Sequence, residues 1–203
     1  MIRGKSMDLK ENGVLGRLAT LSLERCLVKL SKVSAGTWQL VDTECSTGTL
    51  ADAILQYDFK NRTAAGVSIE VKGAFSFATL MLFDPEEMDC ISKCFLGYSF
   101  PKTKGVSQSD EMMLLELGNI ILNALTNSVM NALGSGFIPS VPRYVAGDSR
   151  GIEEGLGGVM DLKRDFRTVQ VTLAMRSGES VSRCKVFAFL PEELARELAG
   201  MVS

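Results

Sequence analysis

The chain contains one six-residue segment twice. Residues 83–88 (FDPEEM) return as residues 189–194 (FLPEEL), and each copy closes a strand-like run and opens a short helix. Proline is tolerated in a first helical turn because its missing N–H would lack a partner there, and glutamates favour the positive end of the helix dipole. The segment alone could arise from these common preferences of helix starts. The elements before each copy also occur in the same order, so the first hypothesis is an internal duplication.

The same four elements are predicted in each half from apolar spacing and from turn residues. In the first half they are a helix from about Leu9 to Ser34 with a left-handed glycine cap at Gly36, a strand from Trp38 to Cys45, a hairpin over 67–83 that turns at Gly73, and a helix from Pro85 to about Leu96. In the second half they are a helix from about Ser109 to Leu133, an extended segment from Val141 to Ala146, a hairpin over 168–189 that turns at Gly178, and a helix after Pro191.

Two such units predict one pseudo-symmetric domain over residues 1–203, made of repeats of about 9–97 and about 107–203. Hairpins supply antiparallel neighbours directly, and no βαβ rhythm appears, so the expected class is α+β with an antiparallel sheet. A glycine-rich stretch, 147–158, separates two elements of the second half and is interpreted as a connection.

Composition narrows the function classes. With 46% hydrophobic and 23% charged residues among 203, the chain has globular proportions. Apolar runs such as 74–83 are far shorter than the ~20 residues that span a bilayer, and the first residues lack a signal-peptide core. We therefore expect a cytoplasmic protein without a membrane partner. A net charge of −2 with scattered basic residues also disfavours nucleic acid.

Several catalytic and metal-binding chemistries are disfavoured. The chain has no histidine, which removes Ser-His-Asp and Cys-His catalysis, and its five cysteines include no CxxC pair that could begin a zinc site. Residues 155–158 (GLGG) lack the GK[ST] ending of a phosphate-binding loop. We expect reduced core thiols, no metal and no cofactor held by the chain itself.

The second long helix carries the candidate site. An apolar stripe at 3.6-residue spacing marks its buried face, and Glu116 and Asn119 lie together on the opposite face. Gly118 is expected to leave space beside them for an approaching group. An ordinary hydrated helix surface would show the same pattern. Glycine and asparagine are poor helix formers, however, so their presence in mid-helix needs another reason.

The string 116–120 (ELGNI) on a long amphipathic helix, followed 23 residues after Asn119 by Pro142 at a strand start, resembles the CheC/CheX/FliY family of chemotaxis phosphatases. The resemblance extends over nearly the whole chain. It implies two long helices side by side on a continuous antiparallel sheet. It also implies hydrolysis of the acyl phosphate on a phosphorylated CheY-like receiver domain, with a CheD-like protein as a further candidate partner.

The resemblance gives Glu116 and Asn119 their expected catalytic roles. A receiver aspartyl phosphate is a reactive anhydride already held by the receiver's own Mg²⁺ and lysine, so a partner need only place a water in line with phosphorus. Asn119 would hold that water through its amide, and Glu116 would pair with the receiver lysine.

Two departures from the family pattern keep an alternative open. Met112 stands where the family has Asp or Ser, and no Glu-x-x-Asn occurs in the first helix, which carries Arg17, Thr20, Glu24 and Lys32 in that region. At most one active face is therefore expected. The alternative is a non-catalytic receiver- or flagellar-switch-type binding module. An enzyme acting on a small phosphorylated metabolite is disfavoured, since no cluster of basic or metal-binding residues is present.

Overall fold

The structure, a computed structural model, describes residues 2–55, 57, 63–101, 105–134, 136–156, 161 and 164–201. For residues 2–10 it describes the backbone only. Gly157 and Gly158, at the end of the glycine-rich stretch, lie outside the described residues.

Six α-helices and seven strands form in the described part of the chain. They are α1 (Ile2–Val33), β1 (Thr37–Gly48), α2 (Leu50–Leu55), β2 (Ala64–Lys72), β3 (Phe77–Phe83), a 3-10 turn (Pro85–Glu87), α3 (Met88–Leu96), α4 (Gln108–Leu133), β4 (Ile138–Pro139), β5 (Arg143–Gly147), α5 (Ser149–Leu156), β6 (Phe166–Ser177), β7 (Ser180–Pro191) and α6 (Glu192–Met201).

All seven strands form one antiparallel sheet with the order β1-β6-β7-β3-β2, and β4 and β5 both pair with the outer edge of β2. The two predicted hairpins, β2-β3 and β6-β7, meet in the middle, where Met81 of β3 lies opposite Val186 of β7. If β1 is exchanged with β5, β2 with β6 and β3 with β7, the same strand order results, counted from the opposite edge of the sheet. The strand order is therefore symmetric about the centre of the sheet. The α+β class with a continuous antiparallel sheet, expected from the sequence, is confirmed.

Helices cover both faces of this sheet. The two long helices, α1 and α4, contact each other and lie over one face, with α3 and α6 completing the same core. The short helices α2 and α5 cover the other face, where Ile54 and Ile152 pack against Leu80 and Phe187. The sequence did not predict α2 or α5, and the stretch interpreted as a glycine-rich connection contains α5. Its eight residues include two glycines, which weaken any sequence signal for a helix.

Burial on both faces also changes the interpretation of β2. Its alternation of Val67, Ile69 and Val71 with Ser68 and Glu70 is typical of a strand with one wet face, yet Ser68 is 0% and Glu70 only 5% exposed. The Glu70 carboxylate is satisfied by a salt bridge to Arg143 of the neighbouring strand β5. The polar residues of this strand therefore lie on a second buried face of the sheet and not on a face exposed to solvent.

Gly36 has a different role from the one expected. It does not adopt the left-handed conformation predicted for a helix cap. A Cβ atom added there would lie 2.5 Å from the carbonyl oxygen of Arg176, and the Gly36 N–H donates to the Cys94 carbonyl at 2.7 Å. The glycine is needed because the backbone after α1 passes against α3 and β6 with no room for a side chain.

The repeated segment closes a central strand in both halves, but its two phenylalanines face opposite ways. Phe83 lies in the core under the long helices, whereas Phe189, 106 residues later, lies in the core under α2 and α5. Side chains alternate between the two faces of a strand with a period of two. Because Phe83 and Phe189 face opposite sides of the sheet, the offset of 106 residues between them cannot relate equivalent positions of the two repeats. The internal duplication stays a prediction, and equivalent positions in the two hairpins must be offset by an odd number.

All five cysteines are free, and Cys94 and Cys184 are buried. Burial, with a smaller contribution from Cys90, raises the pKa of the Cys94 thiol to about 11, so it stays protonated at neutral pH. Within the described residues no group of three or more cysteine or acidic side chains could hold a metal ion.

By length and composition alone, α4 could cross a membrane, but half of its most apolar window is buried inside the fold (50%). The core helix of a soluble protein passes the same test. The apolar character of α4 is accounted for by its packing on β2 and β3.

Candidate functional site

A capping box fixes the start of α4. The Ser107 hydroxyl accepts from the Asp110 N–H at 3.2 Å, and the Asp110 carboxylate accepts from the Ser107 N–H at 2.9 Å. Each side chain thus satisfies a backbone donor that the first turn leaves unpaired. The capping box thus fixes where the 26-residue helix begins, and the apolar stripe that packs on the sheet decides which of its residues face inward.

The sheet-facing side of α4 includes Gly118, against the expectation. A Cβ added to Gly118 would lie 2.6 Å from the Cβ of Val67 in β2. The residue is therefore glycine because helix and strand approach each other closely, and it leaves no space for a group arriving from outside. The expectation that Gly118 opens the outer face was wrong.

The outward side carries the two predicted site residues. Glu116 and Asn119 are both exposed and lie one turn apart, with about 5–6 Å between Cβ atoms at this spacing. Met112, the residue noted in the sequence analysis as a departure from the expected Asp or Ser, is 66% exposed one turn before Glu116. The structure thus brings these three side chains onto one accessible strip of helix.

Asn123 contributes a contact that the sequence analysis did not assign. Its Nδ2 donates to Oδ1 of Asn119 at 2.7 Å, and residues four apart face each other on a helix. The bond holds the plane of the Asn119 amide and leaves the Nδ2 donors and a second lone pair of Oδ1 pointing to solvent. The i, i+4 spacing of the two asparagines was the available signal.

Glu116 enters no salt bridge in the part of the chain that the structure describes. Its carboxylate is exposed, and no cation of α4 lies one turn away, since Asn119 and Ile120 follow it and Met112 and Met113 precede it. The charge is therefore available to a partner without first breaking an internal pair.

Strand β5 lies along one side of this strip. Tyr144 pairs with Val67, the residue that packs on Gly118, so β5 is held at the level of the site. Burial and the carboxylates of Glu111 and Asp110 raise the pKa of Tyr144, and β5 contacts α4. Pro142 directly precedes β5 and is half-buried. The predicted proline thus lies at the strand start beside the helix.

Helix α1 lies along the other side. The Cys26 thiol of α1 donates to the Ile120 carbonyl of α4 at 3.6 Å, and Thr20 turns toward the sheet, where its hydroxyl is 3.0 Å from that of Thr43. Four residues of α1 were expected in the region where a second active face would lie. Arg17, Glu24 and Lys32 are exposed, whereas Thr20 is half-buried.

The site is an exposed face of a helix flanked by a second helix and a strand end. Small-molecule sites are concave and bury most of their ligand, whereas this surface presents one carboxylate and one amide outward. Its shape suits a group carried in a recess of another macromolecule.

Solved structures with the same arrangement of elements identify the fold. FliY from Thermotoga maritima superposes with a TM-score of 0.70 at 14% identity, covering 95% of this chain and 95% of that one. The FliM middle domain from H. pylori gives 0.62 at 10% identity, covering 94% and 97%. CheX from Desulfovibrio desulfuricans gives 0.52 at 12% identity, covering 86% and 99%. The chain has the CheC/CheX/FliY fold. The predicted resemblance is confirmed at this level.

The likeness is one of structure and not of sequence. No protein-family model and no curated protein matches the chain. Among the proteins of this fold, H. pylori FliM has also been solved in complexes with FliG and with SpeE. Proteins with the CheC/CheX/FliY fold therefore include both chemotaxis proteins and members of protein–protein complexes.

Proposed function

We propose that this chain is a CheC-type phosphatase that accelerates hydrolysis of the aspartyl phosphate on a CheY-like receiver domain. The observation that carries the proposal is the exposed pair Glu116 and Asn119, one turn apart on a helix clamped to the sheet. The fold supports it in general terms, since CheX shares the architecture.

The proposed chemistry requires few functional groups from this chain. The receiver holds its own phosphoryl group, with its own Mg²⁺ and lysine, and the remaining requirement is a water in line with phosphorus. Asn119 can accept a hydrogen bond from that water through Oδ1 while Nδ2 donates one to the water or to a phosphoryl oxygen. The Asn123 contact fixes the amide plane before the partner arrives. No general base is needed, which suits a chain without histidine.

Glu116 would fix the docking register. Its unpaired carboxylate can form a charge-assisted contact with the receiver lysine, one turn away from the water-holding amide. An exposed helix face also matches the proposed substrate, because the phosphoryl group of a receiver is held by the receiver itself and must be approached from outside.

A second candidate is a binding module without catalysis, and Met112 is the observation that favours it. An apolar side chain, 66% exposed, replaces the polar family residue at the edge of the face. FliM, found in complexes with other proteins, shares the fold as well. In this alternative the same face would bind a receiver and leave its phosphate intact.

Phosphate release from a phosphorylated CheY-like receiver tests the proposal. Release would be measured for the receiver alone, with the wild-type chain, with Asn119→Ala, and with Gln39→Ala as the control. Gln39 is an exposed amide on β1. We expect acceleration by the wild type and Gln39→Ala, and a loss of about a hundredfold for Asn119→Ala, the size usual for lost positioning.

Equal rates for Asn119→Ala and the wild type would contradict the assigned role of Asn119. Absence of acceleration by the wild type, together with a measurable complex in a titration against the receiver, would favour the binding module. Circular dichroism of each variant checks that folding is unchanged, as expected for exposed side chains replaced by alanine.

A further inference from the structure

The outer surface of α1 carries a row of cations and apolar side chains. Arg17, Leu21, Arg25 and Val28 follow one another at helical spacing and are all exposed, Leu21 by 47% and Val28 by 59%. Spacings of three and four residues place them on one face. Glu24 is exposed on the same face, between Leu21 and Val28, so the unusual feature of the row is its two large exposed aliphatic side chains.

This row borders a groove between α1 and α4 with a volume of about 370 Å³. Its apolar lining comes from Val14, Leu18, Leu21 and Ala124, and its polar lining from Arg17, Ser22, Arg25, Asn127, Ser128 and Asn131. No carboxylate lines it. The groove therefore combines an apolar floor, two positive charges on one wall and neutral amides on the other.

The two arginines have no anionic partner within the described residues, since neither Arg17 nor Arg25 enters a salt bridge there. Glu24 is the only carboxylate between them in sequence, and it does not line the groove. Across the whole chain the net charge is −2. A local excess of unpaired positive charge on an overall acidic protein favours an acidic occupant.

We propose that the groove between α1 and α4 is a docking site for an acidic amphipathic helix of a partner protein. Two antiparallel helices form a trough that accepts a third, with apolar anchors in the floor and charges at the rim. From Val14 to Arg25 the trough is about 17 Å long at the rise of an α-helix, which matches three turns of a bound helix.

In this arrangement apolar side chains of the partner helix pack on Leu18, Leu21 and Ala124. Its carboxylates pair with Arg17 and Arg25, and the guanidinium fork can bind a carboxylate through two parallel hydrogen bonds. Asn127 and Asn131 supply amides on the opposite wall. A concave trough favours a helical segment over a flat bilayer, which would reach only the rim.

The docking site does not depend on the proposed phosphatase activity. Neither Glu116 nor Asn119 lines the groove, which begins on α4 at Ala124, five residues after Asn119 and about 7.5 Å along the axis. A receiver bound at Glu116 and Asn119 and a helix bound in the groove would therefore contact neighbouring but different parts of the same helix.

Selection from a displayed library of random peptides, about 18 residues long and about 27 Å as helices, tests the proposal. Enriched peptides would be synthesised, and their affinity measured by fluorescence anisotropy with the wild-type chain and with three variants. Arg17→Glu/Arg25→Glu reverses the groove charges, and Leu21→Asn removes an apolar contact. Arg176→Glu/Arg183→Glu is the matched control, with the same charge change at exposed arginines of β6 and β7.

We expect enriched peptides to be rich in Asp and Glu with apolar residues at helical spacing, and to gain helical circular dichroism on binding. Affinity should fall about tenfold or more for Arg17→Glu/Arg25→Glu, since two attractions become repulsions. It should also fall for Leu21→Asn and stay unchanged for the control.

Several results would overturn the proposal. They are a library without enrichment, enriched peptides that are neutral, basic or extended when bound, and equal weakening by the control variant. Sedimentation with vesicles containing a tenth to a third of phosphatidylserine gives the remaining outcome. Vesicle binding that requires Arg17 and Arg25, with no peptide binding, would assign the surface to membranes instead.

Discussion

The two long helices lie side by side on the same face of the sheet, yet their outer surfaces carry different side chains, although each includes an exposed glutamate. On α4 the exposed strip has a carboxylate and an amide, Glu116 and Asn119, with the half-buried Asn123 beside them. On α1 it has cations and aliphatic residues, Arg17, Leu21 and Arg25. A similar position in a pseudo-symmetric sheet thus supports two different surfaces, because solvent-facing helix positions are not constrained by the core.

The inner surfaces of the two helices differ as well. Gly118 of α4 sits against Val67 with no room for a side chain, whereas a Cβ added to Gly16 of α1 would meet Cys45 Sγ at 3.6 Å and Thr43 at 3.7 Å. Helix and sheet therefore approach each other more closely at Gly118, under the candidate site, than at Gly16. Close approach of backbone to strand is the condition that only glycine meets.

The largest difference between the two helices is expected for their exposed glutamates. Glu116→Ala should weaken receiver affinity by about 1.5–3 kcal/mol, the usual loss for a charge-assisted contact. Glu24→Ala removes the same charge from exposed α1 and should leave affinity unchanged. Titration of each variant with a receiver carrying a stable phosphate mimic measures both. Equal losses would show that net charge alone, and not the α4 face, governs binding.

The inner surfaces predict opposite signs of stability change. Gly118→Ala forces the helix away from Val67 and should destabilise the fold by about 1–3 kcal/mol, as overpacking does. Gly16→Ala meets only ordinary contacts and gains helix propensity, so it should stabilise by up to about 1 kcal/mol. Urea unfolding followed by circular dichroism gives both values. A neutral Gly118→Ala would mean that α4 can shift on the sheet without cost.

The smallest expected effect concerns Met112, whose side chain is 66% exposed. Met112→Ser restores a polar group one turn before Glu116 and should raise phosphate release a few-fold, in line with about 0.5–1.5 kcal/mol for one hydrogen bond. Val28→Ser makes a similar exposed change on α1 and serves as the control. A Met112→Ser variant that binds the receiver without any turnover would support the non-catalytic alternative.

Much of the fold was predictable because its elements carry strong local signals. The long helices have 26 or more residues with apolar spacing, and each hairpin turns at a short polar or glycine segment between alternating strands. The exposure of Glu116 and Asn119 followed from the same spacing. Their catalytic roles were drawn from resemblance and stay a prediction.

The remainder depended on contacts between distant segments. Local pattern could not show that Ser68 and Glu70 are buried, because the segments that cover that face of the sheet, and Arg143 as the partner of Glu70, are remote from β2 in sequence. It also could not show that position 118 is occupied by glycine because the helix lies so close to Val67 there. Nor could it show that the second copy of the repeated segment places Phe189 on the opposite face from Phe83, since a one-residue difference in strand register leaves no trace in composition.

The contact of Gly118 with Val67 has a consequence for how fast partners can bind. Val67 packs in the space that Gly118 leaves on the inner face of α4, so a rotation or translation of the helix would bring a neighbouring side chain of α4 toward Val67. The candidate face is consequently in place before any encounter, and association need not wait for a rearrangement of this chain. We expect binding to follow rigid-body kinetics, with an observed rate that rises linearly with partner concentration and reaches no plateau.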